Sequence, residues 1–228
     1  MKLFALVIIL SMLLGLAFGG RFSRLETLRL HWWGLALLGL GIQFVPLPEG
    51  AAGTDLLVRS SVLAVSYTLL VTFAAANLRV RGMALILLGL AMNFAVIVAN
   101  GGMPVKAQTL IDSGQEDVLA SLEAERADKH HLLNETDVLT PLADVIAVPK
   151  PIGQAISIGD VFIYVGLIWT IVAAMRGRTP SPRSAGWGPY RGRHRPGETQ
   201  VTMSPPEALP PDPDLGFLPA ATRSGSAP

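Results

Sequence analysis

The sequence predicts an all-α integral membrane protein, a helical bundle of about five transmembrane helices followed by a disordered C-terminal tail. Of the 228 residues, 50% are hydrophobic and only 15% are charged, whereas soluble domains carry about 25% charged residues. The apolar residues also occur in long uninterrupted runs, which is typical of segments that cross a bilayer. The chain has no cysteine, so disulfides, thiolate metal ligands and a cysteine nucleophile are excluded.

The first span is predicted at about residues 3–20, an apolar run that begins directly after Lys2. The same run, with Lys2 before it and small residues leading to Gly20, also resembles a cleavable signal peptide. Three arginines follow within nine residues, and positive charge at that place resists translocation. We therefore favour a retained helix, and a cleaved signal is the alternative.

Three more spans are predicted at about residues 29–47, 57–77 and 82–100. In the span at 29–47 the uninterrupted apolar part has about 14 residues, fewer than the roughly 17–25 that a span needs. The flanking residues must therefore contribute to it. In the span at 57–77, small and hydroxyl side chains recur at helical spacing, which predicts a face turned toward other helices.

The fourth span, residues 82–100, has two features that predict contacts with neighbouring helices. Ala91, Ala95 and Ala99 repeat every four residues, a spacing that favours close helix packing. Asn93 lies in the middle of the apolar run, and an amide in hydrocarbon needs a partner. An interhelical hydrogen bond is the favoured role of Asn93, and the lining of a transport pathway is the alternative.

Residues 101–155 form a polar connection with nine acidic and four basic residues. The pattern from Asp117 to Lys129 predicts a short helix. Residues 139–148 are apolar but too short to span, which predicts a re-entrant or interfacial piece packed against the bundle.

The last span is predicted at about residues 156–175, with Ser157 and Asp160 placed to cap its first turn. After it the composition changes, and residues 177–228 hold 11 of the 17 prolines. A Pro- and Arg-rich segment without apolar periodicity is predicted to be disordered.

The distribution of lysine and arginine predicts the topology. These residues are frequent after the first, third and last spans, and scarce after the second span and in the acidic connection. Because positive charge accumulates on the cytoplasmic side, the N-terminus is predicted outside, the connection extracytoplasmic and the tail cytoplasmic. Residues 1–176 are thus predicted to form a five-span domain in the plasma membrane.

Several motifs together resemble a known family. They are Asn93-Phe94 followed by AVIVANGGMPV at 95–105, Lys129-His130-His131, LTPLADVIAVP at 139–149 and SIGDV at 157–161. The combination of NGGMPV and SIGDV is similar to an uncharacterised family of small multipass bacterial membrane proteins, catalogued as a domain of unknown function. The resemblance covers about residues 1–176 and is strongest between 93 and 161. It implies a multipass bacterial membrane protein and supplies no activity.

The candidate functional surface lies at the predicted outer ends of the helices. It comprises Asn93, Asn100, Gly101, Gly102, Met103, Pro104, Asp144, Ser157 and Asp160. The run 100–104 is favoured as a helix stop, and a backbone turn that binds a ligand is the alternative. Asp160 is favoured as a cap, and an intramembrane acid beside Asn100 is the alternative.

His130, His131 and Glu135 are the candidate metal ligands. On a helix, His131 and Glu135 would share a face, four residues apart. No His-Glu-x-x-His or similar signature is present, so solvated loop side chains are favoured over a zinc or manganese site. The sequence identifies no cofactor and no catalytic residue.

Three function classes follow from these features. A non-enzymatic accessory or binding protein with an outer-face site is favoured. The alternatives are a transporter of small molecules or lipids, and a membrane enzyme built on Asp160, Asp144 and His131. The expected partner is the lipid bilayer, other membrane subunits are left open, and no nucleic acid is expected because the basic tail segment has too few arginines.

Overall fold

The computed structural model describes residues 2–44, 54–124 and 130–178. Within them the α-helices are α1 (Lys2–Ala17), α2 (Trp33–Ile42), α3 (Thr54–Ala76), α4 (Met83–Asn100), α5 (Ala107–Ser113), α6 (Glu116–Glu123) and α7 (Ile158–Met175). The strands are β1 (Met103–Val105), β2 (His130–Leu132), β3 (Ile146–Val148) and β4 (Gln154–Ile156), and 3₁₀ turns cover Phe22–Thr27 and Thr140–Leu142. The predicted tail lies outside the described residues from residue 179 onward.

The described chain is mostly helical, and two of its helices are long and apolar enough to cross a membrane. These are α4 and α7, each of 18 residues, with mean hydropathies of 2.2 and 2.0. The helix α1, the helix α2 and the part of α3 from Ser60 to Ala76 are shorter apolar helices. The two long helices suggest that the protein associates with a membrane.

Glycines let α4 and α7 pack side by side in opposite directions. A Cβ at Gly166 would lie 2.8 Å from the Gly82 carbonyl oxygen, and a Cβ at Gly89 would lie 2.8 Å from Cγ1 of Ile163. Real side chains do not approach so closely, so both helix backbones meet where glycine leaves room. The contact runs along both helices, since Gly82 begins α4 and Gly89 lies two turns further on.

The close-packing face predicted at Ala91, Ala95 and Ala99 is wrong. All three alanines are exposed, and α4 instead buries a face that includes Gly89 and Asn93. Alanine repeats every four residues mark a smooth helix surface, but they do not fix which side meets a neighbour.

At its C-terminal end, α1 docks against the C-terminal end of α7. The Gly20 N–H donates to the Gly15 carbonyl over 2.8 Å, and the Arg21 N–H donates to the Met175 carbonyl over 2.9 Å. A Cβ at Gly20 would lie 2.7 Å from Cβ of Met175. The predicted first span therefore packs on the last helix, through the glycines at its end.

The second predicted span differs in its bounds. Trp32 has a left-handed backbone, with φ 53° and ψ 35°, and helix α2 begins at Trp33 and covers only 10 residues. The residues 29–32 are thus not helical, and residues 45–47 lie outside the described part. Two side-chain amides hold the ends of α2 to α3. Gln43 donates to the Ser66 hydroxyl over 3.0 Å. Asn77 accepts from the N–H of His31 and donates to the carbonyl of His31.

The connection between α4 and α7 is not purely helical. Strand β1 pairs in parallel with β2, and β3 pairs antiparallel with β4. The predicted short helix is present as α6 and ends at Glu123, and residues 125–129 lie outside the described part of the chain. Residues 139–148 form a 3₁₀ turn and strand β3 instead of one continuous apolar piece.

Candidate functional site

Asn93 joins α4 to the start of α7. Its side-chain nitrogen donates to Oδ1 of Asp160 over 2.8 Å, and its side-chain oxygen accepts from the Ser157 hydroxyl over 2.9 Å. Asn93 and Ser157 are buried, with 2% and 0% of their surface exposed, and Asp160 is half-buried. The predicted interhelical hydrogen bond of Asn93 is therefore present, and its partner helix is α7.

The start of α7 has the capping geometry that its sequence predicts. Ser157 has an extended backbone, and its hydroxyl accepts from the Asp160 N–H over 3.0 Å. In return, Oδ2 of Asp160 accepts from the Ser157 N–H over 3.1 Å. The predicted cap is therefore present, and the second carboxylate oxygen of Asp160 binds Asn93.

Gly159 is the residue that lets Asn93 reach this helix start. A Cβ at Gly159 would collide with the side-chain oxygen of Asn93 and would lie 2.8 Å from the Gly89 carbonyl oxygen. The glycine is therefore part of the Asn93–Asp160 contact, although it carries no functional group.

Asn100 has a separate role, so its predicted placement beside Asp160 is wrong. The Asn100 amide bonds both backbone groups of Val138, over 2.9 Å and 2.8 Å, and also donates to the Val96 carbonyl. Gly101 follows with φ 71° and ends α4 in the left-handed conformation. This is the helix stop that the sequence favours.

The residues after that stop form a buried strand, so they do not form an exposed ligand-binding turn. Gly102, Met103 and Pro104 are all buried. Met103 packs with α3 and α4 in an apolar cluster that includes Leu63 and Val96. The predicted backbone site at 100–104 is therefore occupied by the protein itself.

Asp144 is the buried acid at the centre of the connection. Only 6% of its surface is exposed. Its N–H donates to the Pro104 carbonyl over 3.0 Å, and its backbone bridges to Val105, which fixes it beside β1. Its Oδ2 lies 3.6 Å from Nε2 of His130. Its Oδ1 is buried and, among the described side chains, has no hydrogen-bond partner.

Burial raises the pKa of the Asp144 carboxyl to about 8, and the nearby charge of Asp160 adds to the effect. A buried carboxylate without a full set of partners loses hydration that nothing replaces, so the neutral form is favoured. The two acids are close enough to interact, and at neutral pH Asp144 holds a proton. The site therefore contains a buried acid, Asp144, that can ionise when a positive group arrives.

Two tyrosines complete the surroundings of these acids. Tyr67 on α3 is paired with the Asn93 side chain, and Tyr164 on α7 is paired with Gln154 at the start of β4. Both hydroxyls lie within electrostatic range of Asp144 and Asp160. The Tyr67 ring also stacks on Phe94 at 6.3 Å, which holds it in place.

A family model described as "Family of unknown function (DUF5317)" matches residues 27–172. The chain belongs to the DUF5317 family. No curated protein and no solved structure matches the chain. The resemblance to a domain of unknown function is thereby confirmed, and the matched part contains all the site residues from Tyr67 to Tyr164.

The metal site considered at His130, His131 and Glu135 has a different geometry in this DUF5317 chain. Residues 130–132 form a strand, so the helical spacing assumed for His131 and Glu135 is wrong. His131 contacts Oδ1 of Asp137 through Nε2 over 2.9 Å, and Glu135 is exposed in a turn. Within the described residues, no three or more His, Asp or Glu side chains group as metal ligands.

The acids and the histidine proposed for an enzyme are only partly brought together. Asp144 and Asp160 interact, but the histidine beside Asp144 is His130, whereas His131 pairs with Asp137. Sequence reasoning missed both tyrosines of the DUF5317 site. Tyr164 had a signal, since it follows Asp160 by four residues on one helix face, whereas Tyr67 had none.

Proposed function

We propose that this DUF5317 protein is a non-enzymatic binding protein of the plasma membrane, with five spans. Four of them contain α1, α3, α4 and α7, and the 10-residue helix α2 is the helical part of the span at 29–47, which its flanking residues complete. The exposure of the long helices supports the membrane location. Only 33% of each long apolar window, in α4 and in α7, is buried inside the protein. A core helix of a soluble protein would bury most of such a surface, whereas lipid accepts it.

The charges at the two ends of the helices support the orientation. Arginines stand at the end where α1 and α7 finish, close to Met175, and the acidic connection follows the opposite end of α4. By the positive-inside rule the arginine end is cytoplasmic. The packing of Gly15 and Gly20 on Met175 supports a retained first helix, because a cleaved signal would leave α7 without this contact.

The absence of cysteine makes the topology directly testable. Ser23 and Ser121 are exposed, so single cysteines at these positions can be labelled without background. Ser121→Cys is expected to react with a membrane-impermeant maleimide in intact cells, and Ser23→Cys only after permeabilisation. Labelling of Ser23→Cys in intact cells would overturn the orientation. Recovery of the mature protein with its residues 1–20 by mass spectrometry would exclude signal cleavage.

The proposed ligand is a positively charged group held between Asp144 and Asp160. The observation that carries this proposal is the buried Oδ1 of Asp144, which has no hydrogen-bond partner among the described side chains and lies within electrostatic range of a second acid, Asp160. A buried polar atom without a hydrogen bond costs about 1–3 kcal/mol. A cation would supply the missing interaction and would favour the ionised form of Asp144, whose charge the nearby Asp160 otherwise opposes.

The surrounding groups suit such a ligand. The Ser157 hydroxyl, the Asn93 amide and two tyrosine hydroxyls supply further oxygens near the acids. Oxygen donors suit hard inorganic cations, and the same donors with aromatic rings suit a protonated amine. An inorganic cation and a protonated amine each present one compact positive charge to these groups.

Thermal unfolding in mild detergent tests the proposal. Sodium, potassium and methylammonium chloride would be titrated at constant ionic strength, with N-methylglucamine as the balancing cation. At least one of them is expected to raise the unfolding midpoint of the wild type, and the one that acts identifies the source. Asp144→Asn and Asp160→Asn are expected to abolish the shift. The control Asp112→Asn, an exposed acid bonded to Gln108 on α5, is expected to retain it. An equal shift in all variants would disprove the site.

A further inference from the structure

Five arginines converge on the C-terminal end of α7, which we call the arginine end. Arg176 and Arg178 belong to it directly. The Arg81 guanidinium, from the turn before α4, donates to the Arg178 carbonyl over 2.7 Å. The Arg21 N–H bonds the Met175 carbonyl, and the side chain of Arg24 lies against Gly177. Five arginines from three parts of the sequence thus lie at the same end of α7.

The described acids do not neutralise this group. Ion pairs within the described residues involve His130, His131 and Lys150, and none of them involves an arginine. Glu26, the acid of the 3₁₀ turn that also contains Arg24, makes no ion pair with another residue of the described part of the chain. The C-terminal dipole of α7 attracts positive charge, but it amounts to only about half an elementary charge. It cannot balance five guanidinium groups.

The surface next to the arginine end is apolar and aromatic. The Arg176 guanidinium lies 5.9 Å from the ring centre of Phe18. The Phe18, Phe22, Trp32 and Trp33 side chains are all exposed. Exposed aromatic rings beside basic residues are typical of the boundary between lipid headgroups and acyl chains. The unbalanced charge therefore borders a surface suited to lipid tails.

We propose that the arginine end is a binding site for the phosphate of an anionic phospholipid. Guanidinium groups bind phosphate oxygens through paired N–H donors, and the aromatic side chains would contact the acyl chains of the same molecule. A free phosphate would bind the guanidinium groups but would leave the neighbouring aromatic side chains exposed. These side chains therefore favour a lipid over a free phosphate. This site is distinct from the acid site at the other end of α7. The lipid proposal rests on the proposed membrane location and does not depend on the proposed cation site.

The test compares phosphatidylglycerol with phosphatidylcholine, each added to the full chain in maltoside micelles and followed by native mass spectrometry and thermal unfolding. Phosphatidylglycerol is expected to bind and to raise the unfolding midpoint more than phosphatidylcholine. The triple variant Arg24→Gln/Arg81→Gln/Arg178→Gln is expected to bind it about a hundredfold more weakly at low salt, since each basic residue near a membrane contributes about fivefold.

Two further variants separate charge, geometry and folding. Arg24→Lys/Arg81→Lys/Arg178→Lys keeps the charge and loses the paired donors, so it is expected to fold and to bind with intermediate affinity. Lys2→Gln/Lys106→Gln/Lys150→Gln removes three exposed charges elsewhere and is expected to bind like the wild type. The proposal would be overturned if both lipids bound equally well. It would also be overturned if the triple Lys→Gln variant lost as much affinity for phosphatidylglycerol as the triple Arg→Gln variant. Inorganic phosphate that binds as well as phosphatidylglycerol would also overturn it, and cysteine labelling tests the membrane location separately.

Discussion

Asn93 on α4 donates a 2.8 Å hydrogen bond to the Asp160 carboxylate on α7, and the same carboxylate caps the helix that carries it. Asp160 therefore links the interior of the helix bundle to the start of its last helix. Ser157 closes the arrangement, since its hydroxyl donates to Asn93 and accepts from the Asp160 N–H. Removal of any one of these three side chains leaves a polar atom of another without its hydrogen-bond partner.

Asn93→Leu is expected to destabilise the protein by about 2 kcal/mol. The substitution leaves the Ser157 hydroxyl and one carboxylate oxygen unsatisfied, at about 1–3 kcal/mol for a buried group, while an average interhelical bond in a membrane is worth about 0.6 kcal/mol. The measurement is reversible unfolding in detergent. Thr72→Val is the control, because Thr72 is exposed and bonds only its own helix. Equal effects of both substitutions would show that the Asn93 contacts contribute nothing specific.

Asp160→Asn is expected to cost about 1–3 kcal/mol. If Asp160 only capped α7, asparagine would replace it with little loss, since asparagine caps as well. The structure gives both carboxylate oxygens a donor, and asparagine offers one acceptor oxygen and turns an NH₂ group toward the other donor. The substitution is therefore predicted to leave one of the two donors without an acceptor. An unfolding midpoint equal to that of the wild type would show that Asp160 acts only as a helix cap.

Gly159→Ala is expected to lower stability by about 1–3 kcal/mol. The new methyl group would push against the Asn93 side chain and the Gly89 carbonyl, so α4 and α7 must separate. Gly41→Ala is the matched control on α2, where a Cβ would meet nothing within 4 Å. Alanine there is expected to stabilise the helix slightly, by up to about 1 kcal/mol. Thermal unfolding of the two variants compares the effects, and similar destabilisation by both would contradict this account.

The helices and their stops could be predicted because they depend on local sequence. The apolar run before Asn100 and the glycine after it specify a helix and its end, and Ser157 with Asp160 specifies a cap. Both features are present. The helix faces could not be predicted. Thr68 and Thr72 are exposed and satisfy their hydroxyls on their own helix, so a polar side chain in a span need not point toward a partner.

The site itself depends on long-range contacts that periodicity does not encode. Asp144 reaches the bundle because its backbone bridges to Val105 and bonds Pro104, residues about 40 positions earlier. The pairing of Asn93 with Asp160 needed both a packing direction and the space left by Gly159. The sequence named Asp144 and Asp160 as candidates, and the structure bonds Asp160 to Asn93 and not to Asn100.

The raised pKa of Asp144 predicts that stability falls as the pH rises from about 4 to about 8. The folded state keeps the proton up to a pKa of about 8, whereas the unfolded chain loses it near 3.8. Between these values the folded state binds more protons, so each rise in pH favours the unfolded chain, and above about 8 the contribution is constant. Asp144→Asn removes this proton and is expected to gain stability relative to the wild type across that window.

The same titration predicts how a cation would bind. A positive ligand favours the ionised form of Asp144, so binding is expected to release up to one proton at neutral pH and to tighten as the pH rises toward 8. Isothermal calorimetry in buffers of different ionisation enthalpy measures this release, with the cation that shifts the wild-type unfolding midpoint. Asp144→Asn is expected to release no proton, while the Asp112→Asn control releases as many as the wild type. Proton release that persists in Asp144→Asn would place the titrating group elsewhere.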